Sequence, residues 1–448
     1  MLHFSVDRIK GANLLTRLFA IPRWQNKTVC GKCDIVPPDG EKGKKMVSLD
    51  TCMENISKNK LLYLMKNMEM IHLTEKEILN TVSNLLKKYT DELTTDEMGF
   101  VIHTFCKLKF IKYSLCNNFV KIIMNNKPKF SSMRILTQFL IDLHKMGSLD
   151  FNVLTFFTQY YIRHSLSFFS LFDLSMILYI YNKHNYNDVK TIHAICNVIH
   201  SYFMQIVQQD KGVLTTILLS LSALNLNYDM FMKLLNEHVY KKYNQFEVKY
   251  LCNIAYCIAL WLAGNSAELN LAKGKSQSIL SSPQNDFLIG MLSEVTRLLL
   301  KSVNKMKNEE LKQIHIVLYL LKDVGKEYEE AIQNLENKKI KSTLTVSKMQ
   351  KQMEKIFKEI GLRAEQEFPI GPYVLDFAFR KKMACIEVNG FTHYYTFGGG
   401  LNAKSKLKYY ILRKLNWKVL TVEYMDWKNK SKEDKVKYLE KNILERIK

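Results

Sequence analysis

The sequence predicts a two-part chain, an all-α helical-repeat solenoid followed by a small α/β domain. Three observations predict it. From about residue 50 to residue 335, apolar residues recur at helical spacing, strand-like alternation is absent, and Pro occurs only at Pro128 and Pro283. Inside that stretch an apolar triplet recurs at intervals in the range of helix-pair repeats. From Gly361 to Trp427 the pattern changes to short aromatic and β-branched runs separated by turn residues. A chain of 448 residues also exceeds what one core usually organises.

Residues 1–28 hold Arg8, Lys10, Arg17 and Arg23 among Leu14, Leu15, Leu18 and Phe19, with Asp7 the one acid. A basic, amphipathic, acid-poor start without a continuous apolar core predicts an organellar transit peptide rather than a secretory signal. Residues 29–49, with Pro37, Pro38 and a Gly/Lys cluster, read as a flexible connector. Cys30 and Cys33 form a single CxxC with no second pair at zinc-binding spacing, so a metal site there is not expected. The nine cysteines are scattered, which fits a reducing compartment and not a disulfide scaffold. No apolar run is long enough for a membrane span. The net charge of +22 favours polyanionic partners.

The helical region is assigned to residues 50–336. Thr74–Glu77 and Thr94–Glu97 fit the capping-box pattern that opens a helix. The triplet Val101, Phe105, Leu108 recurs as Leu136, Leu140, Leu143, then Ile177, Tyr181, His184, then Ile217, Leu221, Leu224, then Leu251, Ala255, Ile258. The offsets are 35, 41, 40 and 34. A single helix pair cannot bury its apolar face, so pairs must stack, and five to six units are expected. The alternative is a non-repetitive helical bundle. Residues 266–286 read as a loop, two helices follow near 287–304 and 308–335, and residues 337–346 read as a Lys-rich linker.

The α/β domain is assigned to residues 347–448, with its core at 361–427. A charged helix from Ser347 to Ile360 opens it, YVLDFAF and ACIEV are strands, and Arg380–Lys382 is the hairpin turn between them. Asn389–Gly390 closes the second strand, a basic helix runs near 402–415, and WKVLTVEY is the last strand. Asp376 and Glu387 fall at the ends of adjacent strands, where two carboxylates can hold one divalent cation such as Mg²⁺ and activate water. Glu365 and Glu367 are candidates for a further, helix-borne carboxylate, and His393 for an alternative base. Residues 404–448 carry fourteen Lys and Arg against six Asp and Glu. Lys404, Lys406, Lys408, Arg413 and Lys414 are the candidate phosphate contacts, and Tyr409 a candidate base-stacking ring.

LDFAF, IEVNG-x-x-H, the basic helix and the NWKVL…EYMDW close together resemble the RAP domain, an RNA-binding module common in apicomplexan parasites and in organellar RNA-handling proteins. Upstream, the degenerate helix pairs resemble heptatricopeptide or octotricopeptide repeats. The resemblance implies a restriction-endonuclease-like fold of PD-(D/E)XK type. Asp376 then matches the first acid, Glu387 the second, and the motif lysine falls on Asn389, a departure that puts nuclease activity in doubt. It implies a mitochondrial RNA-binding protein, with the plastid as alternative compartment, acting in rRNA or mRNA processing, stability or mitoribosome assembly. Its expected partners are single-stranded or ribosomal RNA, the mitoribosome and other RNA-processing proteins, with no cofactor required. Two alternatives stay open: an endoribonuclease with Mg²⁺ at Asp376 and Glu387, and a helical-repeat scaffold or structural component of the mitoribosome.

Overall fold

The computed structural model describes residues 56–202, 211–264, 285–337, 346–441 and 445. The chain divides into two compact units between Ile162 and Arg163. The expected transit peptide, the connector, Cys30 and Cys33, most of the 266–286 loop and nearly all of the 337–346 linker lie outside the described residues.

The first unit is helical: α1 (Lys58–Met70), α2 (Lys76–Leu86), α3 (Thr95–Lys107), α4 (Tyr113–Asn126), α5 (Met133–Lys145) and α6 (Phe151–Phe157), which widens into a π turn through Ile162. Thr94 forms the capping box with Glu97 at the head of α3. The box expected at Thr74 does not form. Glu75 is the N-cap of α2 instead, and its carboxylate turns back to accept from the Thr74 amide at 3.1 Å. α1 packs on α3 and α3 on α5, burying Leu64, Met68, Val101, Phe105, Leu136 and Leu140. Apolar burial of this kind contributes roughly 1.5–3 kcal/mol per side chain.

The second unit opens with eight helices among its described residues. They are α7 (Leu171–Lys183), α8 (Val189–Ser201), α9 (Lys211–Leu224), α10 (Tyr228–Leu234), α11 (Val248–Gly264), α12 (Asp286–Leu300), α13 (Asn308–Leu321) and α14 (Lys326–Glu336). α9 packs on α7, α11 on α9, and α13 on α11. The single helix expected over 308–335 is two, broken just before Gly325, the extended N-cap of α14.

The repeat has a firmer period than the apolar triplets indicate. α1, α3, α5, α7 and α9 end in the same cap, with a left-handed residue at His72, Lys109, Gly147, Asn185 and Asn225. The following amide bonds back to the helix at Leu73→Met68, Phe110→Phe105, Ser148→Leu143, Tyr186→Tyr181 and Leu226→Leu221. This is the Schellman pattern, and it recurs at intervals of 37, 38, 38 and 40 residues. The triplets slipped against this register because an apolar stripe resembles itself when moved by one helical turn.

The α/β part of the second unit begins with α15 (Lys348–Glu359), capped by Ser347 and Gln350. Then come β1 (Glu365–Ile370), β2 (Tyr373–Phe379), β3 (Ala384–Asn389), α16 (Ala403–Lys414), β4 (Lys418–Glu423), α17 (Tyr424–Lys428) and α18 (Lys432–Leu439). The sheet order is β1-β2-β3-β4. The first three strands are antiparallel and β3–β4 is parallel, joined by the α16 crossover. β1 is an unexpected strand. Its EQEFPI run carries two acids and Pro369, and an edge strand tolerates both. Glu365 and Glu367 are therefore strand-borne, not helix-borne. α15 covers one face of the sheet with Met353, Ile356 and Phe357 against Phe377 and Ile386. Tyr409 and Leu412 of α16 join Leu375, Cys385 and Trp417 in the core on the other side. Among the described residues no helix is long and apolar enough to cross a membrane.

Candidate functional site

The α/β part is seated on the ends of the helices that precede it. Tyr395, buried, donates its hydroxyl to the Ala223 carbonyl at 2.8 Å, in the last turn of α9. Lys406 donates to the Gly264 carbonyl at 2.8 Å, where α11 stops. Lys414 donates to the Leu320 carbonyl at 2.8 Å, near the end of α13, and pairs with Asp323 at 3.0 Å. Asn185, in the left-handed cap after α7, accepts from the Thr396 amide at 3.0 Å and donates to the Thr392 carbonyl at 2.9 Å. The last carbonyls of a helix lack intrahelical donors and carry partial negative charge. Lysine ammonium groups from α16 satisfy two of these ends. The β1–β2 turn also fits closely, since a β-carbon at Gly371 would lie 2.6 Å from the Tyr319 ring.

A cleft of about 450 Å³ opens beside the sheet, lined by the head of α15, by Glu367, Asp376, Glu387 and His393, and by Lys408 and Tyr424. Asp376 is committed at both oxygens. It accepts from the Val388 amide at 2.7 Å and from Gln350 at 2.8 Å. The same Gln350 amide donates to Glu367 at 3.1 Å, so one buried side chain of α15 holds two carboxylates together. Glu367 has φ of 49°. A non-glycine residue held there costs of order 1 kcal/mol or more, a conformation that clusters at functional sites.

Glu387 is 1% exposed. One of its oxygens accepts from Lys408, which also donates to the Val374 carbonyl at 2.9 Å. Its other oxygen, Oε1, is buried without a partner. Burial pushes the Glu387 carboxyl up to about 7, against the pull of the Lys408 ammonium. His393 meets Ser405 at 3.1 Å, and burial and Lys408 both press its imidazole toward the neutral form.

The structure thus brings Asp376, Glu387, His393 and Lys408 into one cleft and separates the other candidates from it. Tyr409 is 1% exposed, and its hydroxyl donates to Asn389, so its ring packs in the core and offers no face to a base. Lys406 and Lys414 point at the helix ends. Lys404 keeps an exposed side chain with its amine 3.5 Å from Asn182, and Arg413 is half-buried. Asn389, at the motif-lysine position, is fully buried. Besides accepting from Tyr409, it donates to Tyr394 at 3.1 Å and to Glu423 at 3.3 Å. A cation nevertheless reaches the acid pair, from α16 rather than from β3. Gln350 and Tyr424 escaped the sequence reading. Gln350 carries no charge to flag it, and Tyr424 reads as a strand end.

The fold and the cleft define a helical-repeat chain closed by a small mixed-sheet domain whose acids and lysine converge. Residues 386–442, from within β3 to just beyond α18, match the family model of the RAP domain. The chain therefore carries a RAP domain, preceded by helix pairs consistent with repeats. A comparison with curated proteins finds no match.

Proposed function

We propose that this protein binds RNA, and does so in the mitochondrion on ribosomal RNA or organellar transcripts. The observation that carries the reading is the RAP domain at residues 386–442. The net charge of +22 supports it. Exposed cations for phosphate contact include Lys381 and Lys382 on the β2–β3 turn and Lys428 at the end of α17. Single-stranded RNA is the ligand class, with the plastid as the alternative compartment and processing, stabilisation or ribosome assembly as the roles. Crosslinking of the tagged protein in its native cell, followed by sequencing of bound RNA, tests compartment and target at once. Discrete organellar fragments support the reading, and no enrichment over an untagged control sinks it.

A second reading, an endoribonuclease, is favoured by one observation: Lys408 pairs with Glu387 in the cleft that Asp376 also lines, a cation where the motif position holds Asn389. The donors do not fit a preformed Mg²⁺ site. Both Asp376 oxygens and one Glu387 oxygen already accept hydrogen bonds. Among the described residues no group of three or more His, Cys, Asp or Glu side chains is placed to hold a metal ion. Cleavage of a labelled RNA by the purified chain, lost in Asp376→Ala and in Glu387→Ala, would establish the activity.

A further inference from the structure

Phe391 is out of place for a residue that only serves the fold. It is 64% exposed, in the short turn that follows the buried strand β3. Its ring lies against Tyr424, with centroids 4.6 Å apart and planes at 59°. Tyr424 lines the cleft, as do Gly390 and Thr392 on either side of Phe391. Met425, 70% exposed, extends the apolar rim. The sheet's apolar core is assembled without the Phe391 ring. A large aromatic held in water beside a cleft forgoes the burial that makes such side chains valuable, and marks a contact surface.

The wall below this rim is rich in hydrogen-bond acceptors. Glu367, Asp376 and Glu387 line it, their carboxylates presenting negative potential toward the cleft. Exposed cations flank the same mouth. Lys348 lines the cleft, and Lys428 lies 5.9 Å from the Tyr424 ring centre. An exposed aromatic ring, a carboxylate wall and bordering ammonium groups match the three parts of a nucleotide: the ring face, the donor edge of the base, and the phosphates.

We propose that Phe391, propped at an angle by Tyr424, forms the stacking platform for one unpaired nucleobase of an RNA strand, its amino edge turned toward the carboxylate wall of the cleft. The proposal rests on the RNA-binding reading and deepens it. A duplex end keeps its bases stacked and paired, so the platform selects single strands. The lysines at the rim bind any strand, whereas the ring rewards an unpaired base.

Fluorescence-anisotropy titration of the full chain with labelled single-stranded oligo(A), and with a blunt RNA duplex, tests this. Phe391→Ala should weaken oligo(A) binding roughly tenfold, from the usual contribution of one base–aromatic stack. Duplex binding and thermal unfolding should stay unchanged, because the ring supports no core. Phe391→Trp, which keeps an aromatic face, should retain affinity, and its added indole fluorescence should be quenched by the strand. A Phe391→Ala protein that binds oligo(A) as the wild type does overturns the platform and leaves the RNA reading intact. A wild type that binds neither strand at low salt overturns both.

Discussion

Tyr395→Phe isolates the joint between the RAP domain and the helices beneath it. The wild-type hydroxyl donates to the Ala223 carbonyl at 2.8 Å and accepts from the Ala403 amide at 3.0 Å. Those partners lie 172 and 8 residues away in the chain. Both are buried: Ala223 is 3% exposed and Ala403 0%. The variant keeps the ring and its packing but leaves one buried acceptor and one buried donor without partners. Each orphaned group costs about 1–3 kcal/mol, so about 2–6 kcal/mol of local stability should be lost. Hydrogen exchange on the full chain reads this where it occurs, as faster exchange in α16, β3 and the end of α9. Thr396→Ala is the matched control. Thr396 also bonds across the joint, to the Asn185 carbonyl at 2.6 Å, but it is exposed. Water replaces its hydroxyl, and the loss should stay under about 1 kcal/mol. Equal protection in Tyr395→Phe and wild type, within about 0.5 kcal/mol, would refute the claim that this hydroxyl joins the two parts.

Four further outcomes are expected. Lys406→Met and Lys414→Met should leave the salt dependence of RNA binding unchanged and cost only about 0.5–1.5 kcal/mol of stability each, since both cations face helix ends. Lys428→Gln should reduce the salt slope by roughly one counterion, measured by titration across salt concentrations. Glu387 titrates at a raised pH in the fold, so its contribution is fully present below about 4.5 and is lost as pH rises to about 7. Denaturation across that window should show a wild-type decline of at most about 3 kcal/mol that Glu387→Gln abolishes; an unchanged slope in the variant would assign the decline to other groups. Asn389→Lys should not create a nuclease. It would bury an ammonium where Asn389 bonds Tyr409, Tyr394 and Glu423, at a cost of about 3 kcal/mol or more, visible as a lowered melting temperature.

Much of the RAP domain was legible because its signals are local. YVLDFAF and ACIEV are strands for their side chains, and the basic helix starts at Asn402, whose side chain accepts from the Ser405 amide at 2.9 Å. β1 was not legible, because its pairing with β2 overrides two glutamates and a proline. In the helical region the apolar stripe showed that helices form but not their register. Polar residues held that information. Thr94, Ser132 and Ser170 are N-caps spaced 38 residues apart. Tyr89, Tyr161 and Tyr202 each donate to a carbonyl 33 residues earlier. The acid pair was legible as two acids on adjacent strands, but both stand within β2 and β3 and not at their ends. Its lysine was not, because Lys408 lies 21 residues from Glu387 and reaches it only through the crossover.

The inward turn of α16 shows why a basic segment does not reveal its partner. A run of lysines complements any array of negative potential. A phosphate chain is one such array, and the carbonyl ends of stacked helices are another. Here Asn185, Ala223, Gly264 and Leu320 belong to the C-terminal ends of α7, α9, α11 and α13, and all four meet the RAP domain. Lys406 and Lys414 answer that strip, and Lys408 answers Glu387 inside the domain. These three cations are engaged within the fold, Lys408 and Lys414 with carboxylates and Lys406 with a helix-end carbonyl, so they contribute little to counterion release from RNA. The electrostatic part of RNA binding therefore falls to cations that remain in water, among them Lys381 and Lys382 on the β2–β3 turn and Lys428 in α17. Beside the cleft, Lys348 and Lys428 are such cations, so RNA contact there should rest on them and on Phe391 rather than on the helix that the charge pattern singles out.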